Sequence, residues 1–587
     1  MTLRVKTHAI AILLALLVGV VYAAPDVYHA STQGYQAIIM ADAQSSDFYL
    51  SAINKSYASP TPIGDPFQYE YQNAHNPFQF FLIEFASGKI GAALHLPLDV
   101  LRQIMDFIFP ALLLLLLYAL AYYMSGSRLT GCVVSVAMLL GNELVQPTSI
   151  HNLLHTFLLN GNYTQFLTYS RPINPQISGI FFFVVLFGLA YLLRNPCSKW
   201  AMVLSGAALG LLVYIYPYFW AFAFVLLGVM FLYALVVRHW RLLFATFIVG
   251  LINLLCMLPF LLLNLSIFLH GGGSDLTQAI PTHRVIIEKF TLVPLFLYIL
   301  IFLFAWWNRG TGTFGTWASV FRNKYIFVPL LLITGVIVSN QQVITGKLVF
   351  QEHFHFFTNI PVFIFAMSLL GMELLLFIPR IWRILIAGLI MLVLAWFAVG
   401  IQVSSYKSYV GESLRYQELA PIFFYLRDSA PPQSVVLTDW YLSTQITMYT
   451  QDFAYATGND ATFVVPQVRL INDYFTMLDL RGVTAQSVRS YIYQPVNRDE
   501  IGQKLYIGTF WRDSCGSDGC FPNSILESLI PQYQAFVSTP LLTDVEGYKI
   551  NFVLVDSVED ADWKNVYQIL GTPVYRSGDF TLYAIKQ

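Results

Sequence analysis

The chain has 587 residues, 57% of them hydrophobic and only 11% charged, with a formal net charge of −1. Ordinary soluble domains carry about 25% charged residues, and a mean hydropathy of +0.60 leaves too little polar surface to cover a soluble fold of this size. Disordered, collagenous and disulfide-scaffold classes are excluded. The near-neutral charge leaves no footprint for a nucleic acid. The composition requires an integral membrane protein whose partner is the lipid bilayer. Charge is unevenly spread: residues 1–404 hold 19 Lys+Arg and 13 Asp+Glu, whereas 405–587 hold 13 and 20 in less than half the length. The expected fold class is a polytopic α-helical membrane domain over 1–404, followed by an aqueous α/β or α+β domain over 405–587.

A membrane span needs about 20 mostly apolar residues. Eleven segments qualify, at about 8–24, 107–124, 129–146, 177–193, 200–215, 218–237, 242–264, 291–307, 325–339, 360–378 and 384–403. The stretch 78–97 is apolar but carries Glu84 and Lys89, which predicts an interfacial helix instead. With a cytoplasmic N-terminus, the inner connections hold Arg4, Lys6, Arg128, Arg194, Lys199, Arg238, Arg241, Arg309, Arg322, Lys324, Arg380 and Arg383 and no acidic residue. The positive-inside rule then orients the bundle in the cell membrane, and an odd number of spans puts the C-terminal domain outside. Arg4 and Lys6 with Val21-Tyr22-Ala23 also fit a signal sequence; the bundle that follows favours retention of the first span.

The outer side has long connections at 25–106, 147–176, 265–290 and 340–359, and long loops are commonly functional. Asp42 and Asp47 follow soon after the first span, and Glu70 lies in FQYEYQ. A carboxylate here can serve as a general base or bind a divalent cation. The second loop carries His151 and His155, on one face if helical, though Asn152 stands where a zinc-protease motif needs Glu. It also carries Arg171, whose fork matches phosphate oxygens. The third holds Gly271–Gly273, His283 and Arg284. The fourth crowds Gln341, Gln342, Lys347, Glu352, His353 and His355 between two spans, and polar groups at a bundle mouth mark a site by default. Alternation of His353 and His355 with Phe354 and Phe356 predicts an extended or interfacial segment.

In the C-terminal domain, SVVLTDWYL, INFVLVDS and FTLYAIKQ predict strands, while LAPIFFYLRDS and DWKNVYQILG predict helices. Cys515 and Cys520 flank a Gly-Ser-Asp-Gly turn and would form a disulfide in an oxidising compartment. No phosphate loop, nucleophile elbow or zinc motif is present, which predicts an accessory role for this domain.

Three features resemble the GT-C glycosyltransferases, membrane enzymes that take sugar from a polyprenyl-phosphate carrier. A single N-terminal span precedes Asp47-Phe48-Tyr49-Leu50. The first loop continues as GDPFQYEYQNAHNPFQFFLIEFASGKIGAALHLPL, similar to the family's juxtamembrane region. The outer domain ends in YKINFVLVDS and VYRSGDFTLYAIK, similar to bacterial members. The Trp-Trp-Asp motif of oligosaccharyltransferases is absent. The resemblance implies sugar transfer from a polyprenyl-phosphate-linked donor to a glycan, lipid or protein acceptor on the extracytoplasmic face. It implies Asp47 as the catalytic acid residue, with Asp42 and Glu70 as alternatives. Arg171, Lys347, His353 and His355 would hold the departing lipid phosphate, with Arg284, His151 and His155 as further binding candidates. The competing class is a transporter or flippase, for which Glu143 and Glu373 within spans would be the gating residues.

Overall fold

The computed structural model describes residues 8–41, 46–75, 80–145, 163–265, 280–281, 283–307, 312–348, 351–457, 464–505 and 523–586. Its principal helices in chain order are α1 Ala9–Ala30, α2 Ser46–Ala58, α3 Leu82–Ala93, α4 Leu98–Ser125, α5 Arg128–Leu140, α6 Gln176–Arg194, α7 Lys199–Ile215, α8 Pro217–Val236, α9 Trp240–Leu263, α10 Lys289–Trp307, α11 Gly312–Tyr325, α12 Phe327–Val338, α13 Ile360–Leu374, α14 Arg380–Arg415, α15 Ala420–Ser429, α16 Trp440–Tyr449 and α17 Gln467–Leu480.

Among the described residues, nine helices are long and apolar enough to cross a membrane, and α5 and α7 are shorter apolar helices. Together they correspond one to one with the eleven expected spans. Local chemistry sets their ends. Ser127 and Ser198 accept the amides of Thr130 and Ala201 to start α5 and α7, the usual work of an N-terminal serine. Gly126 closes α4 at φ 70°, a left-handed conformation that glycine adopts without a Cβ clash. The bundle core holds Leu113, Leu114, Leu117, Phe182, Phe222 and Leu226, with Phe182 stacked on Phe219 at 4.5 Å. The outer surface leaves Trp200 85%, Val236 80% and Trp307 80% exposed, a distribution suited to lipid rather than water.

α14 runs without a break for 36 residues, so the expected boundary at Ser404 falls inside one helix that carries the chain from apolar to aqueous surroundings. Beyond it lies a five-stranded mixed sheet in the order β4-β3-β5-β7-β6, built from β3 Val435–Leu437, β4 Phe453–Ala454, β5 Phe552–Asp556, β6 Leu570–Ser577 and β7 Phe580–Ile585. β3 pairs parallel with β4 and β5, and β7 pairs antiparallel with β5 and β6. β1 Ile280–Pro281 and β2 Lys347–Leu348 form a separate antiparallel pair at the bundle.

Three local expectations are corrected. SVVLTDWYL is a strand only through Leu437, because the Asp439 carboxylate accepts the amides of Tyr441 and Leu442 and starts α16. DWKNVYQILG forms only a short turn at Val566–Gln568 before β6 begins at Leu570; pairing with β7 overrides its helical pattern. The His353–His355 segment is helical rather than extended. Gln351–Phe354 leads into a wide turn in which the Ile360 amide bonds to His355 O, five residues back. The 78–97 stretch yields only the 12-residue α3, too short to span.

The first long loop is bound to the terminal domain rather than free. α2 packs on α16, and Asn54 Nδ2 donates to Thr447 O and Thr450 O. Ala454 N donates to Phe67 O at 2.9 Å, extending the sheet at its β4 edge. α3 follows close behind α2: a Cβ on Gly88 would lie 2.5 Å from Ile53 O, so only glycine permits this approach.

Candidate functional site

The C-terminal part of α1, the N-terminal ends of α4 and α6, and α14 at Gln402 come together at one place. Here Arg102 donates from Nε to Asp106 Oδ2 at 2.6 Å and from Nη2 to Ser170 O at 2.8 Å. Asp26 lies 3.4 Å from the same Nε, and Gln176 Nε2 donates to Asp106 Oδ1 at 2.7 Å. Asp106 is fully buried and Arg102 nearly so. The sequence reading missed this cluster. Its signal was available: a basic and an acidic residue four apart at the start of an apolar run, which face each other on a helix.

Arg171 follows the short turn Thr168–Ser170. Its guanidinium carbon sits 5.2 Å from the Tyr49 ring and 5.8 Å from the Phe357 ring. Its Nε is buried and has no hydrogen-bond partner among the described residues. Tyr49 is fixed from the other side, its hydroxyl accepting from Asn174 Nδ2 at 3.2 Å. A guanidinium between two ring faces gains cation–π attraction, yet an unbonded buried donor is costly.

The two fourth-loop histidines diverge, as residues two apart on a helix must. His353 stacks on Tyr218 at 4.4 Å and hydrogen-bonds the Tyr216 hydroxyl through Nδ1. His355 Nδ1 meets Glu288 Oε2 at 2.6 Å, so it belongs to a different cluster. Arg284 is exposed and contributes its carbonyl to Gln342 Nε2. Lys347 pairs through its backbone in β2 with Pro281; its side chain lies outside the described residues. Asp42, His151, His155, Cys515 and Cys520 also lie outside them.

Asp47 opens α2 and is partly buried. Its Oδ2 accepts from Thr444 Oγ at 2.7 Å and its Oδ1 from the Phe48 amide at 3.0 Å. A narrow cavity beside it is lined by Ile39, Met40, Ser46, Leu50, Tyr441 and Gln445 among others. Met40 also lines the small cavity at Asp26, Arg102 and Asp106, so one side chain stands between the Asp47 space and that cluster. Asp47 and Tyr49 are two residues apart, about 3 Å of helix rise. The carboxylate meets the terminal domain while the ring meets Arg171. Glu70 does not join them. It is exposed on the turn Tyr69–Tyr71, where its charge acts on the buried Arg469–Asp473 pair. The terminal domain, expected to be accessory, thus supplies Thr444, Tyr441 and Gln445 around Asp47. No group of three or more His, Cys, Asp or Glu side chains able to hold a metal converges among the described residues.

Farther up the same contact, Lys55 is 2% exposed. It donates to Asp452 O and lies 3.9 Å from the centroid of the Phe453 ring. Burial pulls its pKa down to about 7 and pushes that of Asp452 up to about 6, the opposite charges partly offsetting both. Glu373, on the opposite side of the bundle from the long loops, is paired with Lys324 and Tyr325.

No family model and no curated protein matches the chain. Among solved structures, it is similar to the Archaeoglobus fulgidus oligosaccharyltransferase tethered to an acceptor peptide, with 14% identity over 99% of this chain and 74% of that one and a TM-score of 0.45. The apo form of that enzyme gives 13% identity, the same coverage and a TM-score of 0.47. ArnT from Cupriavidus metallidurans bound to undecaprenyl phosphate gives 12% identity over 99% of this chain and 98% of that one, with a TM-score of 0.46. The apolar helices and the sheet beyond them make the chain a multi-pass membrane protein with a folded C-terminal domain.

Proposed function

We propose that the protein is a membrane glycosyltransferase that moves a sugar from a polyprenyl-phosphate carrier to a glycan, lipid or protein acceptor on the extracytoplasmic face. The observation that carries this reading is Arg171. Its guanidinium is held between Tyr49 and Phe357 with a buried Nε that has no partner among the described residues, at the mouth of an apolar bundle where a lipid phosphate would lie. Asp47, at the start of the helix that carries Tyr49, acts as general base. It takes the proton of the acceptor as the acceptor atom attacks the anomeric carbon. The bond from that carbon to the phosphate oxygen breaks with its electron pair leaving on the phosphate. Arg171 stabilises the charge that develops there, and His353 lines the same aromatic wall through Tyr216. Because the donor arrives in the membrane, the inner connections need no nucleotide-binding residues.

The test is a panel of synthetic polyprenyl-phosphate hexoses and pentoses offered to the purified protein, with release of polyprenyl phosphate as readout. Asp47→Asn keeps shape and hydrogen-bonding capacity but cannot take the proton, so turnover should fall by about 10²–10⁴-fold. Asp42→Asn and Glu70→Gln serve as comparisons. Movement of the intact lipid-linked sugars across a bilayer without release of polyprenyl phosphate would favour a flippase instead.

A further inference from the structure

Thr444 lies 397 residues from Asp47 in the chain and is fully buried at the contact of α2 with α16. Its Oγ is within hydrogen-bond reach of two acceptors, Asp47 Oδ2 at 2.7 Å and Tyr441 O at 2.8 Å. A threonine hydroxyl has one proton to give. When Asp47 is ionised the proton goes to the carboxylate, because a bond to a charged acceptor is about twice as strong. When Asp47 is protonated the hydroxyl turns to Tyr441 O, the usual back-bond of a helical threonine, and its lone pair accepts from the acid. Rotation of one hydroxyl therefore satisfies both charge states.

The neighbouring groups hold this geometry. Thr447 Oγ donates to Thr444 O at 2.9 Å and lies 2.8 Å from Ser51 Oγ, one turn along α2 from Asp47. On α16, Tyr441 is the titratable group whose phenol feels the Asp47 charge; Glu412 near the end of α14 acts on the same phenol. Burial keeps the Tyr441 hydroxyl protonated well above its ordinary range, so it does not compete for the proton.

We propose that Thr444 is a positioning residue for Asp47, holding the carboxylate against the terminal domain and keeping it bonded before and after proton uptake. On this view the terminal domain completes the site. The inference rests on Asp47 being the base of the proposed transfer. Thr444 ends the cycle with the proton it began with; the acceptor's proton leaves Asp47 to water.

The pH dependence of carbodiimide coupling at Asp47, read by peptide mass spectrometry on the full-length protein in detergent, tests the contact without any sugar substrate. Removing a donor to the charged form raises a carboxyl pKa. Thr444→Val should move the labelling midpoint up by about one pH unit, and Thr444→Ala, with a smaller side chain, should do the same. Thr444→Ser should stay with the wild type. An unchanged midpoint in both hydroxyl-free variants overturns the positioning role, whatever the transfer assay gives. Undiminished transfer by Asp47→Asn overturns the reading of Asp47 as base, even if the midpoint moves.

Discussion

The Arg171 guanidinium lies 5.2 Å from the ring of Tyr49, and this contact joins the second long loop to the helix whose first turn holds Asp47. If that cation receives the lipid phosphate, Arg171→Ala should raise the KM for a polyprenyl-phosphate sugar about 10- to 100-fold, the worth of a hydrogen bond to a charged group. Arg171→Lys should recover only part, since the charge remains but the two-pronged fork is lost. Donor-titration kinetics of both variants check this; unchanged KM in Arg171→Ala would remove the residue from the donor site.

Lys55 should give the stability of the protein a distinct alkaline limb. Its folded pKa of about 7 lies below its ordinary value of 10.5, so between those pH values the unfolded chain binds more protons. Stability then rises with pH across that window. Asp452, raised from 3.8 to about 6, acts in the opposite sense and lower: stability falls as pH rises through that range. Lys55→Met should abolish the rise above about pH 7 and, by removing the cation that holds the Asp452 pKa down, extend the lower limb to higher pH. Thermal unfolding across both windows separates the two.

Arg469 and Asp473 form an ion pair with each side chain 1% exposed. Burial pushes the Asp473 pKa up to about 7 even beside the arginine. Arg469 also lies 3.8 Å from the Tyr548 ring, and Gln68 of the first loop donates to Asp473 at 2.6 Å. Arg469→Met alone should cost about 3–5 kcal/mol because it leaves a buried acid unpaired, while Arg469→Met with Asp473→Leu should recover much of that. Chemical denaturation of the two variants decides it; equal losses would mean the pair is not the source.

Protease added to intact spheroplasts should cut the chain after Tyr406, because the acid-free basic connections lie on the other side. Cleavage confined to inverted vesicles would reverse the proposed orientation.

Spans were legible because a helix in lipid satisfies its own backbone and needs only a local apolar run. Eleven such runs became eleven helices without knowledge of their neighbours. The alternation of β5 and β7 was readable for the same local reason. DWKNVYQILG was not, because pairing with a distant strand outweighed its own preference. Asp47 and Arg171 could be singled out by type and place, and the Arg102–Asp106 pair carried a local signal as well. The partners of Asp47 and Arg171 could not be read. Thr444, Tyr49 and Phe357 are ordinary residues in sequence, brought to them only when α2 packs on α16 and the segments just before α6 and α13 come together. Hydropathy is a property of neighbouring residues in the chain, whereas a hydrogen bond spanning 397 positions exists only after the loops have closed, and its donor has no distinguishing chemistry until then.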